Sequence, residues 1–165
     1  FDIAMSGISR RLFRQRVAYL ADPYYRGGKT PIARCEDAER LGSLDAIDRP
    51  GVTVLVNPGG TNERFVRARL ERARIRVIDD NTRIFDALAA GEGDVMITDE
   101  IEVRLRSRLH PALCATMPGE RLTFTEKGFL LPRGAEPWLR YVNAWLHELR
   151  ATGEIDAVIR RHLTP

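Results

Sequence analysis

Short apolar runs alternate with amphipathic segments along most of the chain. Where the apolar residues are continuous or alternate, the pattern predicts strands, at 1–5, 29–35, 52–56, 75–78, 94–98 and 128–131. Apolar residues at helical spacing predict helices, short ones near 10–17 and 41–47 and longer ones at 61–73, 82–90, 99–109, 136–149 and 154–163. We predict that Asn81 caps one helix, that Gly91 ends it, and that 22–28 form a loop. The βαβαβ order predicts an α/β fold with a parallel sheet and helices on its faces.

Two glycines follow the strand predicted at 52–56. Gly59 and Gly60 let the main chain approach a ligand closely, and Thr61 begins the next helix. The free N–H groups and the positive end of that helix favour a carboxylate or phosphate. The alternative is a turn that only eases the change from strand to helix. Neither GxGxxG nor GxxxxGK[ST] is present, so nucleotide binding is not supported.

The ends of the predicted strands carry most of the polar chemistry. In an open α/β sheet, ligands bind outside the carboxyl ends of the strands. Polar or glycine-rich residues follow three strands, at 6–9, 57–61 and 98–99, and we expect all three segments to face one crevice. Its chemistry would suit a small zwitterion or a polycarboxylate. The candidate binding residues are Ser6, Ser9, Arg14, Lys29, Asn57, Thr61 and Asp99.

Composition excludes several other classes of protein. With 165 residues, of which 44% are hydrophobic, the chain can bury a core in one or two compact units. No apolar run approaches the ~20 residues of a membrane span. The net charge is only +3, and acidic residues interrupt the arginine clusters, so we expect neither a nucleic-acid nor a membrane partner. The histidines, His110, His147 and His162, lack ligand spacing, so we expect no metal site.

Several motifs resemble the extracytoplasmic solute-binding proteins of family 3, which bind polar amino acids. They are Ser6-Gly7-Ile8-Ser9 with Arg14 five residues later, Gly60-Thr61-Asn62-Glu63, and Thr98-Asp99. The resemblance implies a periplasmic binding protein-like (type II) fold of two lobes. Lobe 1 would comprise 1–27 and 119–165, lobe 2 would comprise 28–118, and the start of lobe 1 would precede Phe1.

The same resemblance implies a binding site and a cellular location. In that family, an arginine and a Gly-Thr turn hold an α-carboxylate, which implies this role for Arg14, Gly60 and Thr61. An aspartate binds the α-ammonium group, which implies that role for Asp99, and Ser6 and Ser9 would complete the site. The family also implies a periplasmic protein whose precursor carries a signal peptide.

Longer stretches resemble the cyclohexadienyl dehydratases, enzymes built on this binding-protein fold. The matching stretches are 5–9, 28–32, 56–63, 98–102 and 107–111. The resemblance implies a lyase that converts prephenate to phenylpyruvate, or arogenate to phenylalanine, by loss of the hydroxyl group with decarboxylation. Glu102 would be the general acid, and Lys29 and Asn57 would complete the polar pocket. Because the product ring is aromatic, the chemistry requires no metal or cofactor.

Two alternatives remain open for these residues. The spacing of Asp99 and Glu102 is also that of a capping box, in which both carboxylates only satisfy N–H groups of their own helix. The protein could equally be the amino-acid-binding component of an ABC transporter. Such a receptor needs Asp99 and Arg14 but no protonated Glu102.

Cys35 and Cys114 are the only cysteines, and their spacing matches no redox or metal motif. They fit either two buried thiols or one disulfide. In the two-lobed fold that the resemblance implies, both follow segments that cross between lobes and would lie close together. Since an exported protein would oxidise them, we expect a disulfide.

Overall fold

A computed structural model describes residues 1–163 as an α/β chain with two compact units. Unit 1 comprises Phe1–Gly28 and the segment that begins at Thr123, and unit 2 comprises Lys29–Leu122. The helices are α1 Leu12–Gln15, α2 Leu44–Ile47, α3 Thr61–Arg69, α4 Ile84–Ala89, α5 Glu100–Leu109, α6 Glu136–Ala151 and α7 Glu154–Leu163. The strands are β1 Ala18–Leu20, β2 Tyr25–Gly27, β3 Lys29–Arg34, β4 Thr53–Val56, β5 Arg74–Val77, β6 Val95–Asp99, β7 Leu113–Ala115, β8 Thr125–Lys127 and β9 Leu130–Pro132.

The predicted lobe boundaries stay a prediction, although they fall near the boundaries of the two units. Residues 164–165, the last two residues of the predicted lobe 1, lie outside the described part of the chain. In that described part, no helix is both long enough and apolar enough to cross a membrane.

Unit 2 is built on a five-stranded sheet with the order β5-β4-β6-β3-β7. Strand β4 runs parallel to β5 and β6, as predicted, but β3 runs antiparallel to both β6 and β7. The sheet is therefore mixed, and the prediction of a parallel sheet was wrong for β3. A buried apolar strand carries no sign of its direction in its own residues, because direction is set by pairing with distant segments.

Both faces of this sheet are covered. Successive residues of β4 belong to different clusters, Val54 and Val56 to one and Leu55 to the other, because strand side chains alternate between faces. Helix α3 contributes Val66 to the first cluster, and α4 contributes Phe85 to the second. Because both faces of the sheet are covered, β4 and β6 are buried along most of their length. This burial accounts for the unbroken apolar runs in the sequence.

Unit 1 contains two antiparallel pairs of strands, β1 with β9 and β2 with β8. Helix α6 adds Val142 and Leu146 to the buried cluster around Phe129. The strand predicted at 1–5 is wrong: Ala4 makes a single bridge to Leu130, and Phe1 is 75% exposed. The loop predicted at 22–28 is also wrong in part, because β2 lies within it.

Local signals at helix ends gave one correct and one wrong prediction. Gly91 adopts a φ of 79° directly after Ala90, the C-cap of α4, which confirms it as the stop. Asn81 does not cap this helix, because α4 begins at Ile84 after Arg83 and no side chain caps it. Instead, Asp80 accepts hydrogen bonds from the N–H and the hydroxyl of Thr82, which forms a separate turn ahead of the helix.

Cys35 and Cys114 form a disulfide within unit 2, with their Cα atoms 4.8 Å apart. Cys35 follows β3 directly, and Cys114 lies on β7 opposite Ala33. The two residues are neighbours because β3 and β7 are paired strands. The expected reason, that both cysteines follow segments that cross between lobes, stays a prediction.

Candidate functional site

A buried lysine lies at the centre of the polar residues of unit 2. Lys29 is the first residue of β3 and is only 1% exposed. Its ammonium group donates hydrogen bonds to the Thr61 hydroxyl at 3.3 Å and to the Asn62 amide oxygen, and it lies 3.4 Å from a carboxylate oxygen of Asp99. These contacts place a cation among oxygens from three residues, two at the start of α3 and one at the end of β6.

The fold explains how these residues meet. Because β3 runs antiparallel to β6, Lys29 pairs with Asp99 at the end of β6. Helix α3 begins at Thr61, directly after the turn that follows β4. Strands β4 and β6 are parallel neighbours, so their carboxyl ends lie at the same edge of the sheet.

Glu102 lies in the first turn of α5 and belongs to the same network. Its Oε2 accepts a hydrogen bond from the Thr98 hydroxyl at 2.6 Å. The Thr98 hydroxyl in turn accepts one from the Asn62 amide nitrogen at 2.9 Å. A continuous series of hydrogen bonds therefore connects Lys29 to Glu102 through Asn62 and Thr98.

The capping box is the one alternative that the structure contradicts. Asp99 does occupy the N-cap position of α5, but its side chain makes no capping hydrogen bond. The Asp99 carboxylate lies against Lys29, and the Glu102 carboxylate contacts Thr98. Both carboxylates thus interact with other side chains of the site.

The glycine turn has the predicted shape, but one of its N–H groups is already used. Gly59 has a φ of 74°, and Gly60 is the N-cap of α3. The Gly59 N–H donates to Oε2 of Glu63 at 2.7 Å, and Arg67 donates to the other carboxylate oxygen at 2.9 Å. The hydrogen bond from Gly59, followed by that from Arg67, lowers the pKa of Glu63.

Asn57 holds the end of the turn to the neighbouring strand. Its side-chain nitrogen donates to the Ile78 carbonyl, one residue beyond β5, at 3.1 Å. This contact is the turn-shaping role that an Asn-Pro sequence favours. The ligand contact expected for Asn57 stays a prediction.

Unit 1 brings Ser9 and Arg14 together. Ser9 is 3% exposed, and its carbonyl accepts a hydrogen bond from the Arg14 guanidinium at 2.7 Å. Its hydroxyl accepts one from Lys127 at 3.0 Å. The Ser6 carbonyl accepts from the Tyr24 hydroxyl at 3.0 Å.

Sequence reasoning missed three members of these networks. Lys127 lies on β8, and its only signal was a lysine at an inward position of a short strand. Asn62 and Thr98 appeared in the motifs without any role being assigned to them. Each makes contacts with residues more than thirty positions away, which local patterns do not reveal.

Unit 2 brings a carboxyl group and a buried ammonium group into one hydrogen-bonded network. A carboxyl group can donate a proton, and an ammonium group can orient and stabilise an anion. In the described part of the chain, no group of three histidine, cysteine, aspartate or glutamate residues could hold a metal ion.

No family model matches the chain. Its sequence and its fold are nevertheless similar to those of known proteins, of which three are described here. A cyclohexadienyl dehydratase of Pseudomonas aeruginosa is 56% identical over 153 residues, which are 93% of this chain and 57% of that protein. A crystal structure of an ancestral cyclohexadienyl dehydratase is 43% identical, with a TM-score of 0.57 over 100% of this chain and 68% of that one. An ancestral amino acid-binding protein, a precursor of cyclohexadienyl dehydratase, is 27% identical, with a TM-score of 0.87 over 99% of this chain and 70% of that one.

These likenesses confirm the predicted fold class, which is the periplasmic binding protein-like (type II) α/β fold. The chain spans 57% of the length of its curated Pseudomonas relative. Within that fold class, the chain belongs to the cyclohexadienyl dehydratase family of the extracytoplasmic solute-binding proteins.

Proposed function

We propose that the protein is a carbon–oxygen lyase that converts prephenate to phenylpyruvate, arogenate to phenylalanine, or both. The single observation that carries the proposal is the placement of Glu102, whose carboxyl group belongs to a hydrogen-bonded series that begins at the buried Lys29. The 56% identity to a cyclohexadienyl dehydratase supports the same reaction.

In the proposed reaction, Glu102 donates a proton to the ring hydroxyl group, which leaves as water. The ring carboxylate leaves as carbon dioxide, and the electron pair of the broken carbon–carbon bond enters the ring. The ring becomes aromatic, which supplies the driving force without a cofactor. Glu102 then regains its proton from solvent. The residues contribute general acid catalysis, orientation and electrostatic stabilisation.

The remaining candidate residues are proposed to bind the substrate. Lys29 supplies positive charge, together with the hydroxyl group of Thr61. Asp99 accepts the ammonium group of arogenate. Asn57 and Gly60 form the turn on which Thr61 lies and contribute to the same site. In unit 1, the groups proposed to bind a carboxylate are those of Ser6, Ser9 and Arg14.

We propose a periplasmic location on the basis of the family and the disulfide. A Cys35–Cys114 bond forms and persists in an oxidising compartment, and the periplasm is one. Alkylation of intact cells with a thiol reagent that cannot cross the inner membrane tests this location. We expect neither cysteine to be labelled unless a reductant is added first.

The test of function is incubation of the purified protein with each substrate. We expect prephenate to give phenylpyruvate, detected by its absorbance in alkali, and arogenate to give phenylalanine, detected by chromatography. The likeness to an ancestral amino acid-binding protein favours one alternative, a transport receptor. Tight calorimetric binding of an amino acid, with no product from either substrate, would support the receptor and contradict the lyase.

A further inference from the structure

The hydrogen bonds between Lys29 and Glu102 have only one possible direction. A lysine ammonium group has donors and no acceptor, so the oxygen of the Asn62 amide must face it. The nitrogen of the same amide must then face the Thr98 hydroxyl and donate to it. Each group in the series therefore sets the orientation of the next one.

The direction extends to the carboxyl group of Glu102. Thr98 is fully buried, and its hydroxyl has a single proton. Since Asn62 donates to this hydroxyl, the proton is directed at the remaining partner, Oε2 of Glu102, 2.6 Å away. Oε2 is thus held as an acceptor, and an acidic proton on Glu102 must reside on Oε1.

We propose that Thr98 is a positioning residue that selects Oε1 as the proton-donating oxygen of Glu102 and fixes its direction. The inference rests on the proposed function, in which Glu102 is the general acid. A carboxyl group held at one oxygen presents its proton in one direction, which is the orientation that general acid catalysis needs.

The test must leave the charges of the other groups around Glu102 unchanged. They are Lys29 of β3, Asp99 at the end of β6, and Glu100 and Arg106 on α5 itself. Glu100 is paired with Arg121 at 2.6 Å, and the Arg106 guanidinium lies 4.5 Å from the centre of the Phe85 ring. Replacement of Thr98 by valine removes the hydroxyl group and alters none of these charges.

The chain offers a matched control for this replacement. Thr116 is also a buried threonine of unit 2, and its hydroxyl oxygen has no hydrogen-bond partner among residues 1–163. Thr116→Val therefore makes the same chemical change without the loss of a hydrogen bond. Thr98→Ser retains the hydroxyl group and should behave as the wild type.

The experiment combines kinetics with a spectroscopic readout that does not depend on turnover. For Thr98→Val, we expect kcat to fall about tenfold with KM changed by less than about threefold, because orientation is lost and binding is not. Thr98→Ser should restore kcat to about the wild-type value, and Thr116→Val should change neither kcat nor KM.

Carbon-13 NMR of protein labelled at the glutamate carboxyl carbons gives the second readout. The Glu102 signal is assigned by its loss in Glu102→Gln, and its chemical shift should change in Thr98→Val but not in Thr98→Ser or Thr116→Val, because only Thr98→Val removes the hydrogen bond to Oε2. An unchanged chemical shift, or equal effects of Thr98→Val and Thr116→Val, would overturn the inference. A wild-type protein that turns over neither substrate would refute the proposed function, and the chemical shift of Glu102 would still report its hydrogen bond with Thr98.

Discussion

Loss of the Cys35–Cys114 disulfide should destabilise unit 2. The bond joins residues separated by 79 positions, and the loop that it closes contains most of Lys29–Leu122. A double variant, Cys35→Ser with Cys114→Ser, removes the bond and leaves no free thiol. Its unfolded state gains the freedom that the closed loop denies to the wild type.

The size of the effect follows from the length of that loop. For a separation of 79 residues, the chain-entropy relation gives about 4.5 kcal/mol at 25 °C. Measured losses are generally smaller, because the denatured chain retains some structure, so we expect about 2–4 kcal/mol. Nearly the whole loss should fall on unit 2, where both cysteines lie.

Urea unfolding followed by circular dichroism measures the loss, with and without dithiothreitol. The reductant should destabilise the wild type by about the same amount as the double substitution, and it should leave the double variant unchanged. Hydrogen exchange in β4 and β6 should locate the effect in unit 2. A loss of less than about 1 kcal/mol, or equal sensitivity of both proteins to the reductant, would refute this reasoning.

Three further predictions concern single residues of unit 2. Lys29→Met leaves the Asp99 carboxylate without its cation, so it should lower the free energy of unfolding by about 2–4 kcal/mol and abolish substrate binding, as measured by urea unfolding and calorimetry. Asp48 accepts three backbone N–H groups, that of Arg72 foremost, which lowers its pKa below the ordinary 3.8. Its stabilising effect is complete above the unfolded-state pKa and is lost as the pH falls through the lower folded-state pKa, so the urea midpoints of wild type and Asp48→Asn should differ at pH 6 and converge as the pH falls below the folded-state pKa. Gly59 has a φ of 74° with open space around it, so Gly59→Ala should cost about 1–2 kcal/mol through backbone strain alone, measured by thermal unfolding.

The sequence predicted the two strand–turn–helix connections that carry most of the unit 2 site. The passage from β4 through Gly59 to α3, and from β6 through Asp99 to α5, depends on local signals: a buried apolar run, a turn or cap residue, and an amphipathic helix. Such signals lie within a few residues of one another and survive in a single sequence. Helix α3 begins at the predicted residue, Thr61, and α5 begins at Glu100, one residue after its predicted start.

What the sequence could not predict depends on distant partners. The direction of β3 and the existence of β2 are set by strands far along the chain, and neither has a local signature. The contact between Asn62 and Thr98 joins residues 36 positions apart, and that between Ser9 and Lys127 joins residues 118 apart. Long-range contacts of this kind position the polar side chains of both units.

Glu102 shows how the two kinds of information combine. Spacing alone allowed the carboxylates of Asp99 and Glu102 to be simple helix caps. The structure gives each a different partner, Lys29 for Asp99 and Thr98 for Glu102, because β3 and β6 meet at this edge of the sheet. The assignment of Glu102 as the acid remains a proposal that kinetics can test.

The most direct test is the comparison of turnover and substrate affinity in Glu102→Gln. Glutamine keeps the size of the side chain but cannot donate an acidic proton, so we expect kcat to fall about a thousandfold while Kd for the substrate changes by less than about threefold. Glu100→Gln, which removes a carboxylate from the same turn of α5, is the matched control and should retain wild-type turnover. Turnover within about tenfold of the wild type in Glu102→Gln would contradict the account, because the proton would then come from another group.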